Sequence, residues 1–541
     1  MSKKIFLLGD VDSIKSYVFE APGLPQIRGG SQRLVECEEK VKNCVKQLGG
    51  KEIYCSGGGF LFEVPVDKAE KVKRSIERIY LEHTLVATVT VVYEDASQVP
   101  PSAPDITITN GWADRLVKTH RQIRQTGEFA RRTAFLAARL REAKQQKATA
   151  PFIEAFPFGK RCDICGKRVA EKEVPYPDET KRVCGVCHQR YEKGKKERKV
   201  WFQRFTKALN LELQAEVPQD LNELVESAHR DYLAFLYADG NNIGSLLQKV
   251  KDEREYKALS DTLKESTQKA LFEALWEECQ QTLQKEKILP FEIVNIGGDD
   301  VTLLIQAGYA WDIALSFLEK FESYVQEEVE KRLEYWPEDW PKPITASVGI
   351  AIADAKHPVR YLEALAEDLL KKAKKTAKKE NTSAINFLWL PNAIAVTKAE
   401  MVADLYRRNG FVLTARPYTL AQARMIQEVA NVLSQWPRSL RHRWGEALER
   451  GRWFALNLIL YDLARRMNEK HEKDKVNKLL STLEKLVHVL GGSSAIPIGY
   501  LWWSNRENNE EIWCTPLLDA LELAELKAMR PDIQEEIEEA A

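Results

Sequence analysis

The stretch Phe291-Glu-Ile-Val-Asn-Ile-Gly297-Gly298-Asp299-Asp300-Val-Thr-Leu-Leu-Ile305 joins two apolar runs through a Gly-Gly-Asp-Asp turn. The pattern predicts a β-hairpin, because glycine readily adopts the positive φ that a tight turn requires. Two adjacent carboxylates repel each other, and a divalent cation removes that repulsion. Mg²⁺ usually takes one or two protein carboxylates together with substrate phosphates. The turn is therefore a candidate Mg²⁺ or Mn²⁺ site, with an ordinary acidic surface turn as the alternative.

A second segment, Asp231-Tyr-Leu-Ala-Phe-Leu-Tyr-Ala-Asp239-Gly240-Asn241-Asn242-Ile243-Gly244-Ser245, predicts a strand that ends on an acid and continues through a turn into a helix. An acid at a strand end, beside the free amides of a helix start, suits a metal ion and a phosphate. If this strand shares a sheet with the hairpin, Asp239, Asp299 and Asp300 converge at one edge. Three convergent carboxylates are the arrangement of two-metal nucleotidyl transfer.

Composition restricts the class of protein without indicating a substrate. The chain has 541 residues, which predicts three or four domains. Lys plus Arg and Asp plus Glu both number 80, so net charge does not indicate nucleic-acid binding. No apolar run approaches about 18 residues, so we expect no transmembrane helix. The N-terminus lacks the pattern of a signal peptide, and nine cysteines that include CxxC pairs indicate a reducing cytoplasm rather than disulfides.

Residues 1 to about 95 predict the order strand, helix, hairpin, helix, strand, which is a ferredoxin-like βαββαβ unit. This unit is a degenerate copy of the one that carries Asp239, because Asp10 follows its first apolar strand and Gly57-Gly58-Gly59 forms its hairpin turn. Gly59 and Phe60 stand where the hairpin acids belong. We therefore expect this copy to bind Mg²⁺ poorly and to be non-catalytic.

The first unit remains a candidate for holding a nucleotide, since its glycines allow phosphates to approach the backbone. Arg28-Gly29-Gly30-Ser31 lies between its first strand and its hairpin. Asp10, Arg28, Gly30 and Ser31 are the candidate contacts. The alternative is an ordinary helix entry with Ser31 as the N-cap residue.

Two CxxC pairs, formed by Cys162, Cys165, Cys184 and Cys187, have the spacing of a zinc ribbon. Four thiolates complete a tetrahedron without an open position, so we expect a structural Zn²⁺. His188 is a possible competing ligand, but it stands one residue late.

We expect four domains, at 1–110, 111–227, 228–392 and 393–541. The Pro- and Ser-rich residues 96–110 predict a linker, and 111–147 predict a basic helix. Its cations either face solvent or contact RNA, and they are Lys118, Arg121, Arg124, Arg131, Arg132, Arg139 and Arg141. Residues 393–541 read as helical throughout and show no group of residues with a recognisable chemistry, so we expect a docking domain.

In their order along the chain, these motifs resemble the large polymerase/cyclase-type subunit of type III CRISPR effector complexes. The hairpin turn also resembles that of diguanylate cyclases. The residues that carry the resemblance are Gly9–Asp12, Arg28–Ser31, the four cysteines, Ala238–Asn241, Gly297–Asp300, Ser347–Ala351, Ala366–Lys374 and Leu413–Leu420. The family implies an α+β chain with two ferredoxin-like palm domains, a zinc-ribbon insertion and a C-terminal all-helical domain that contacts small subunits. We call the non-catalytic unit (1–110) palm 1 and the catalytic unit (228–392) palm 2.

The resemblance also implies an activity and a set of partners. The expected activity is synthesis of cyclic oligoadenylates from ATP, switched on by target RNA, in antiviral defence. The expected partners are crRNA, target RNA and other protein subunits of a cytoplasmic ribonucleoprotein complex. Many family members begin with a histidine-aspartate nuclease domain, but this sequence contains no His-Asp dipeptide, so we expect no DNase activity.

The expected catalytic and Mg²⁺- or Mn²⁺-binding residues are Asp239, Asp299 and Asp300. Together with the four contacts in palm 1, the expected nucleotide-binding residues are Gly240, Asn241, Asn242, Ile243, Gly244, Ser245, Gly297, Gly298 and Lys374. In the expected reaction, the 3′-hydroxyl of one ATP attacks the α-phosphorus of the next, and pyrophosphate leaves. Two rival interpretations remain, a template-dependent polymerase or primase and a non-enzymatic RNA-binding scaffold.

Overall fold

The computed structural model describes residues 4–94, 128–147, 158–176, 179–228, 230–285, 287–392, 394–408, 410–491, 501–507 and 510–531. The predicted linker at 96–110 lies outside the described residues, as do Lys118, Arg121 and Arg124 of the predicted basic helix. Within the described ranges, no helix combines the length and hydrophobicity that crossing a lipid bilayer requires.

Palm 1 is a four-stranded antiparallel sheet covered by helices. Its elements are β1 (Lys4–Val11), α1 (Ile14–Val18), α2 (Leu24–Gln47), β2 (Lys51–Ser56), β3 (Gly59–Pro65), α3 (Ala69–Thr84) and β4 (Val89–Tyr93). The strand order is β2-β3-β1-β4. Alternate residues of β1, among them Ile5 and Leu7, share one buried cluster with Val41 of α2 and Val72 of α3. The predicted βαββαβ order is confirmed.

Helix α2 begins seven residues before Ser31, at Leu24, with Pro25 in its first turn, where proline costs no helical hydrogen bond. Ser31 therefore lies inside the helix, and the alternative interpretation of Ser31 as an N-cap residue is wrong. Gly29 is tolerated in the helix interior because another helix crosses there. A Cβ at Gly29 would lie 1.9 Å from the carbonyl oxygen of Arg190.

The segment between the palms contains α4 (Glu128–Gln146), β5 (Lys172–Pro175), β6 (Thr180–Val183), α5 (Gly185–Lys196), α6 (Val200–Ala208) and α7 (Leu221–Val225). Helix α4 packs on β1 and β4 of palm 1. Its Arg132 donates to Glu94 at 2.6 and 2.7 Å and lies 3.9 Å from the Phe6 ring centre. Arg132 is thus bound within the protein and does not face RNA. Helix α5 makes the crossing with α2, where Gly194 also meets the Pro25 backbone.

Palm 2 is a six-stranded sheet that contains the predicted hairpin. Its elements are β7 (Tyr232–Gly240), α8 (Ile243–Leu247), α9 (Glu253–Lys285), β8 (Phe291–Gly297), β9 (Asp300–Gln306), α10 (Ala307–Leu333), β10 (Ala346–Asp354), α11 (Val359–Glu380) and β11 (Ala384–Trp389). The order β14-β11-β10-β7-β9-β8 includes β14 (Tyr418–Thr419) from the C-terminal region. Strand β7 pairs antiparallel with β9, as β1 pairs with β3 in palm 1. The two palms thus share one topology, and β8 lies at a sheet edge.

The C-terminal region is helical, as predicted, but it also contains a small sheet. Its elements are α12 (Ala403–Tyr406), β12 (Arg407–Arg408), β13 (Phe411–Val412), α13 (Leu420–Ser434), α14 (Arg438–Arg450), α15 (Arg452–Met467), α16 (Lys473–Val489), β15 (Trp503–Glu507), β16 (Glu510–Cys514) and α17 (Leu517–Lys527). The sheet order is β12-β13-β16-β15. The expectation of a region helical throughout was incomplete, because its strands of two to five residues are too short to show alternation in the sequence.

Candidate active site

Strand pairing in palm 2 brings the predicted acids together. In the β7–β9 ladder Ala238 pairs with Val301, so Asp239 lies beside the start of β9, next to Asp300. A Cβ at Gly240 would lie 2.6 Å from Asp299 Oδ2, and one at Gly297 would lie 2.6 Å from Asp300 Oδ1. A side chain at either position would therefore displace these carboxylates from their present positions. Acids from two distant parts of the sequence meet at one edge of the sheet.

The three carboxylates are in an unfavourable electrostatic environment. Burial, followed by the charge of Asp239, raises the pKa of Asp299 to about 7. Burial, followed by the charges of Asp299 and Asp239, raises the pKa of Asp300 well above its usual value. Mutual repulsion of this kind is relieved when a divalent cation binds between the carboxylates. The donor set consists of hard oxygen ligands and fits Mg²⁺ or Mn²⁺.

The three carboxylates lie near one another, but their oxygen atoms do not yet surround one position that a cation could occupy. Among the described residues, the four cysteines are the only group of three or more potential ligands whose ligand atoms all lie within 4.8 Å of one another. Side-chain rotation is therefore needed for Asp239, Asp299 and Asp300 to surround one cation.

Lys374 of α11 contacts the first of the three acids directly. Its ammonium group donates to Asp239 Oδ2 and, at 2.9 Å, to the carbonyl oxygen of Gly240. Both side chains retain about 30% of their exposure. The predicted phosphate-binding cation therefore lies beside the acids in this structure and holds the end of β7.

The turn after Asp239 divides into two parts with different roles. The Asn241 amide group donates to Thr345 Oγ1 at 2.9 Å and accepts from Ser347 Oγ at 2.8 Å, and the backbone N–H of Asn241 donates to the Thr345 carbonyl. These bonds fix Asn241 to β10 and its entry, and its contact with a nucleotide stays a prediction. By contrast, a Cβ at Gly244 would meet nothing within 4 Å, so the start of α8 faces open space. Asn242, Ile243, Gly244 and Ser245 remain candidates.

Palm 1 contains a pseudo-equivalent of this site, which a lysine from the segment between the palms occupies. Lys144 of α4 donates to Asp10 Oδ2 at 2.5 Å and to the Val11 carbonyl at 3.2 Å, the same pair of acceptors that Lys374 uses in palm 2. Lys147 donates to Asp12 at 2.7 Å. Sequence reasoning missed Lys144.

The structure contradicts the prediction that Arg28 contacts a nucleotide. The side chain is 2% exposed, and its guanidinium donates twice to Glu292 of β8, at 2.7 Å each. The Ser31 hydroxyl donates to the carbonyl of Val294 at 2.6 Å. At Gly30, a Cβ would lie 3.5 Å from the Val18 Cα, so that position packs against α1. Arg28 and Ser31 therefore contact palm 2, and Gly30 packs within palm 1, so none of the three lies on an open surface.

Four residues near the acids escaped the sequence analysis. Lys15 of α1 lies 3.8 Å from the ring centre of Tyr237 and pairs with Glu367 of α11 at 3.2 Å. Tyr237 precedes Asp239 by two residues, so strand alternation was a signal for its position on the same face. Lys15, Glu38 and Asp300 line a cavity of about 50 Å³ between the palms. The turn thus borders a cavity instead of being enclosed.

The four cysteines form a second site. Their sulfur atoms all lie within 4.8 Å of one another, a cluster that fits a tetrahedral metal such as Zn²⁺. His188 is not part of the cluster. Arg168 beside the cluster forms a bidentate pair with Glu20 of palm 1, at 2.8 and 2.9 Å. The buried Arg190 also pairs with Glu20 and lies 3.9 Å from the Tyr17 ring centre. The cluster is therefore attached firmly to palm 1.

Comparison with known proteins links this architecture to a family. A family model described as the second palm domain of Cas10/Cmr2 matches residues 232–383. No curated protein matches the chain by sequence. Three similar solved structures are described as Csm1-Csm4 cassettes, in complex with cA4, cA3 and AMPPNP. Their TM-scores are 0.54, 0.54 and 0.52, at 12%, 13% and 12% identity.

These alignments cover 97% or 98% of this chain and 70% of each of the matched chains. At such low identity the likeness concerns the fold, and the family match concerns palm 2. Both agree with the resemblance that the motifs predicted. Residues 232–383 thus match a second palm domain of the Cas10/Cmr2 kind, and the chain shares the fold of the matched chains in the Csm1-Csm4 cassettes.

Proposed function

We propose that this chain synthesises cyclic oligoadenylates from ATP by two-metal nucleotidyl transfer, as the large subunit of a type III CRISPR effector complex in antiviral defence. The observation that carries the proposal is the convergence of Asp239 with the Asp299–Asp300 turn at one open sheet edge. Carboxylates that repel one another are stabilised when they bind divalent cations, and such sites also bind phosphates.

Each residue of the site has a proposed role. Asp239, Asp299 and Asp300 hold Mg²⁺ or Mn²⁺, which when bound supplies Lewis-acid activation of a 3′-hydroxyl and neutralises the charge on the phosphates. Lys374 orients Asp239 and offers an ammonium group to the departing pyrophosphate. The turn at Asn242–Ser245, where a Cβ at Gly244 would meet nothing within 4 Å, is the proposed place for the triphosphate. Gly297 and Gly298, the glycines of the turn, are the further proposed nucleotide contacts.

Partners and cofactors follow from the same proposal. The similar cassettes are described as complexes with cA4, cA3 and AMPPNP, which supports a nucleotide substrate and a protein partner for this chain. We propose crRNA and target RNA as the further partners and target RNA as the activator. In the cysteine cluster, Zn²⁺ has a structural role, because four thiolates leave no position for substrate.

The test is product analysis by mass spectrometry. The chain is incubated with each NTP and Mn²⁺, with and without partner subunits and target RNA. Short cyclic adenylates are expected from the wild type, and Asp299→Ala is expected to abolish them while the protein stays folded. Asp474→Ala, in the first turn of α16, is the matched control, since Asp474 is exposed and far along the chain from the site.

Three outcomes contradict the proposal. Products whose lengths follow an added template indicate a polymerase or primase. ATP binding that is indifferent to Mg²⁺, with no product from any NTP, indicates an RNA-binding scaffold. Full wild-type turnover in Asp299→Ala removes the assignment of the site.

A further inference from the structure

Strand β8 leads directly into the catalytic turn and lies at the edge of the palm 2 sheet, so among the described strands only β9 pairs with it. An edge strand has one row of backbone groups that no neighbouring strand holds in place. In this chain, palm 1 contacts β8 at three points, through Arg28, Ser31 and Gly57. The contacts fall on residues 292, 294 and 297 and thus follow the strand up to the turn.

The middle contact lies at an irregularity of β8. The pairing of β8 with β9 shifts register between Ile293 and Asn295, which leaves Val294 at a β-bulge. A bulged residue does not take part in the regular ladder, and a bulge sets the direction in which the strand continues. The Ser31 hydroxyl donates to the Val294 carbonyl at 2.6 Å. Palm 1 therefore adds a hydrogen bond at the bulged residue.

The first contact is a buried charge pair. Arg28 and Glu292 have side-chain exposures of 2% and 4%, and two parallel N–H···O bonds of 2.7 Å join them. The same guanidinium donates to the Pro218 carbonyl at 3.0 Å. A bidentate pair fixes orientation as well as distance. The base of β8 is thus fixed relative to α2 of palm 1.

The third contact joins the two glycine turns, backbone to backbone. A Cβ at Gly57 would lie 3.1 Å from the carbonyl carbon and oxygen of Gly297, and one at Gly297 would lie 2.8 Å from the Gly57 Cα. The palm 1 turn is itself held, because the Glu38 carboxylate accepts the Gly58 N–H at 2.7 Å and the Tyr54 hydroxyl donates to the Ser56 carbonyl at 2.7 Å. The presence of glycine at position 57 is therefore explained by close packing against palm 2, without any contact with a phosphate.

We infer that palm 1 positions the catalytic turn by holding β8 at these three points, so that Arg28, Ser31 and Gly57 are positioning residues for the nucleotidyl transfer in palm 2. This inference rests on the proposed function. It gives palm 1 a role that needs no metal and no nucleotide contact from Arg28 or Ser31. Displacing reacting groups by about 1 Å can cost about a hundredfold in rate, so these contacts affect kcat more than substrate affinity.

The first test separates positioning from nucleotide binding at Ser31. In the full chain, assembled with the partners that support wild-type synthesis, Ser31→Ala is expected to lower kcat about tenfold while the KM for ATP stays within about twofold. Ser31→Thr keeps the hydroxyl, and the adjoining cavity gives room for the extra methyl group, so this variant is expected to recover most of the rate. A raised KM with unchanged kcat in Ser31→Ala would overturn the inference in favour of a nucleotide contact.

The second test uses the turn contact. Gly57→Ala is expected to reduce kcat about fivefold, because the added methyl group forces the Gly297 backbone to move by a fraction of an ångström. Gly49→Ala is the matched control: Gly49 also has a positive φ, +83° against +64°, but its Cβ would meet only Pro65, at 3.8 Å. Equal rate losses in the two variants would show a general effect of backbone strain and overturn the inference.

Failure of the inference and failure of the proposed function give different results. If the wild-type complex makes no cyclic adenylate, the proposed function fails. If the wild type is active and the Ser31 and Gly57 variants keep its kcat, only the positioning role fails. Far-UV circular dichroism and zinc content show whether each variant is folded. If Gly57→Ala does not fold, the pair Ser31→Ala and Ser31→Thr decides the question alone.

Discussion

Replacing Asp299 by asparagine should stabilise the metal-free catalytic hairpin while it abolishes catalysis. The Asp299 carboxyl lies beside Asp239 and Asp300, and burial together with the Asp239 charge raises its pKa to about 7. The folded state therefore disfavours the ionised form of this residue. Asparagine has nearly the same shape and no charge, so it removes the repulsion but also removes a cation ligand.

The size of the effect follows from the pKa. A shift from 3.8 to about 7, at 1.36 kcal/mol per unit, corresponds to about 4 kcal/mol. Between these two values the folded state binds more protons than the unfolded state, so the wild type loses stability as pH rises from about 4 to about 7. Above pH 7 the loss is constant. The advantage of Asp299→Asn is thus up to about 4 kcal/mol at pH 8 and about 2 kcal/mol at pH 5.

Hydrogen exchange is the suitable measurement, because a chain of several domains does not unfold in one transition. Peptides that span β8 and β9 are compared between wild type and variant at pH 5 and pH 8, without added Mg²⁺ and without a chelator that would strip zinc. Added Mg²⁺ should then protect the wild-type hairpin and leave the variant unchanged. Equal or weaker protection of Asp299→Asn at pH 8 would show that the acids are not in electrostatic conflict and would refute the reasoning.

Three further predictions concern the scaffold. Cys165→Ser should lose about one equivalent of bound zinc by atomic emission, because three thiolates hold the ion less tightly than four; unchanged zinc content would contradict the assignment. Arg28→Met should lower the free energy of local opening around β8, measured by hydrogen exchange, by about 3–5 kcal/mol, because it leaves Glu292 buried without its partner; unchanged exchange would contradict the buried pair. Gly349→Ala should cost about 2–3 kcal/mol, because its Cβ would lie 2.2 Å from the Ala366 carbonyl of α11, and a melting temperature equal to wild type would contradict that close packing.

The sequence was sufficient for the elements that carry a local signal. The Gly-Gly-Asp-Asp turn between apolar runs predicted the hairpin, because glycine and strand alternation act over neighbouring residues. The CxxC spacing predicted a quartet that the structure brings within 4.8 Å. The internal likeness of the two palms also appeared in the sequence, because both copies keep an acid after the first strand and a glycine turn. Short strands such as β13 and β16 carry no such signal, and they were missed.

Contacts between distant segments were decided only by the tertiary structure. Arg28 and Ser31 resembled nucleotide contacts, yet in the fold they hold Glu292 and Val294, more than 260 positions away. The hydrogen bond from Lys144 to Asp10 and the contact of Gly57 with Gly297 could not be predicted from the sequence either. A polar side chain binds whichever partner the packing of sheets and helices brings within about 3 Å, and a linear pattern does not contain that distance. The residue types of the site were therefore readable in the sequence, whereas the partner of each residue depended on how the two palms pack together.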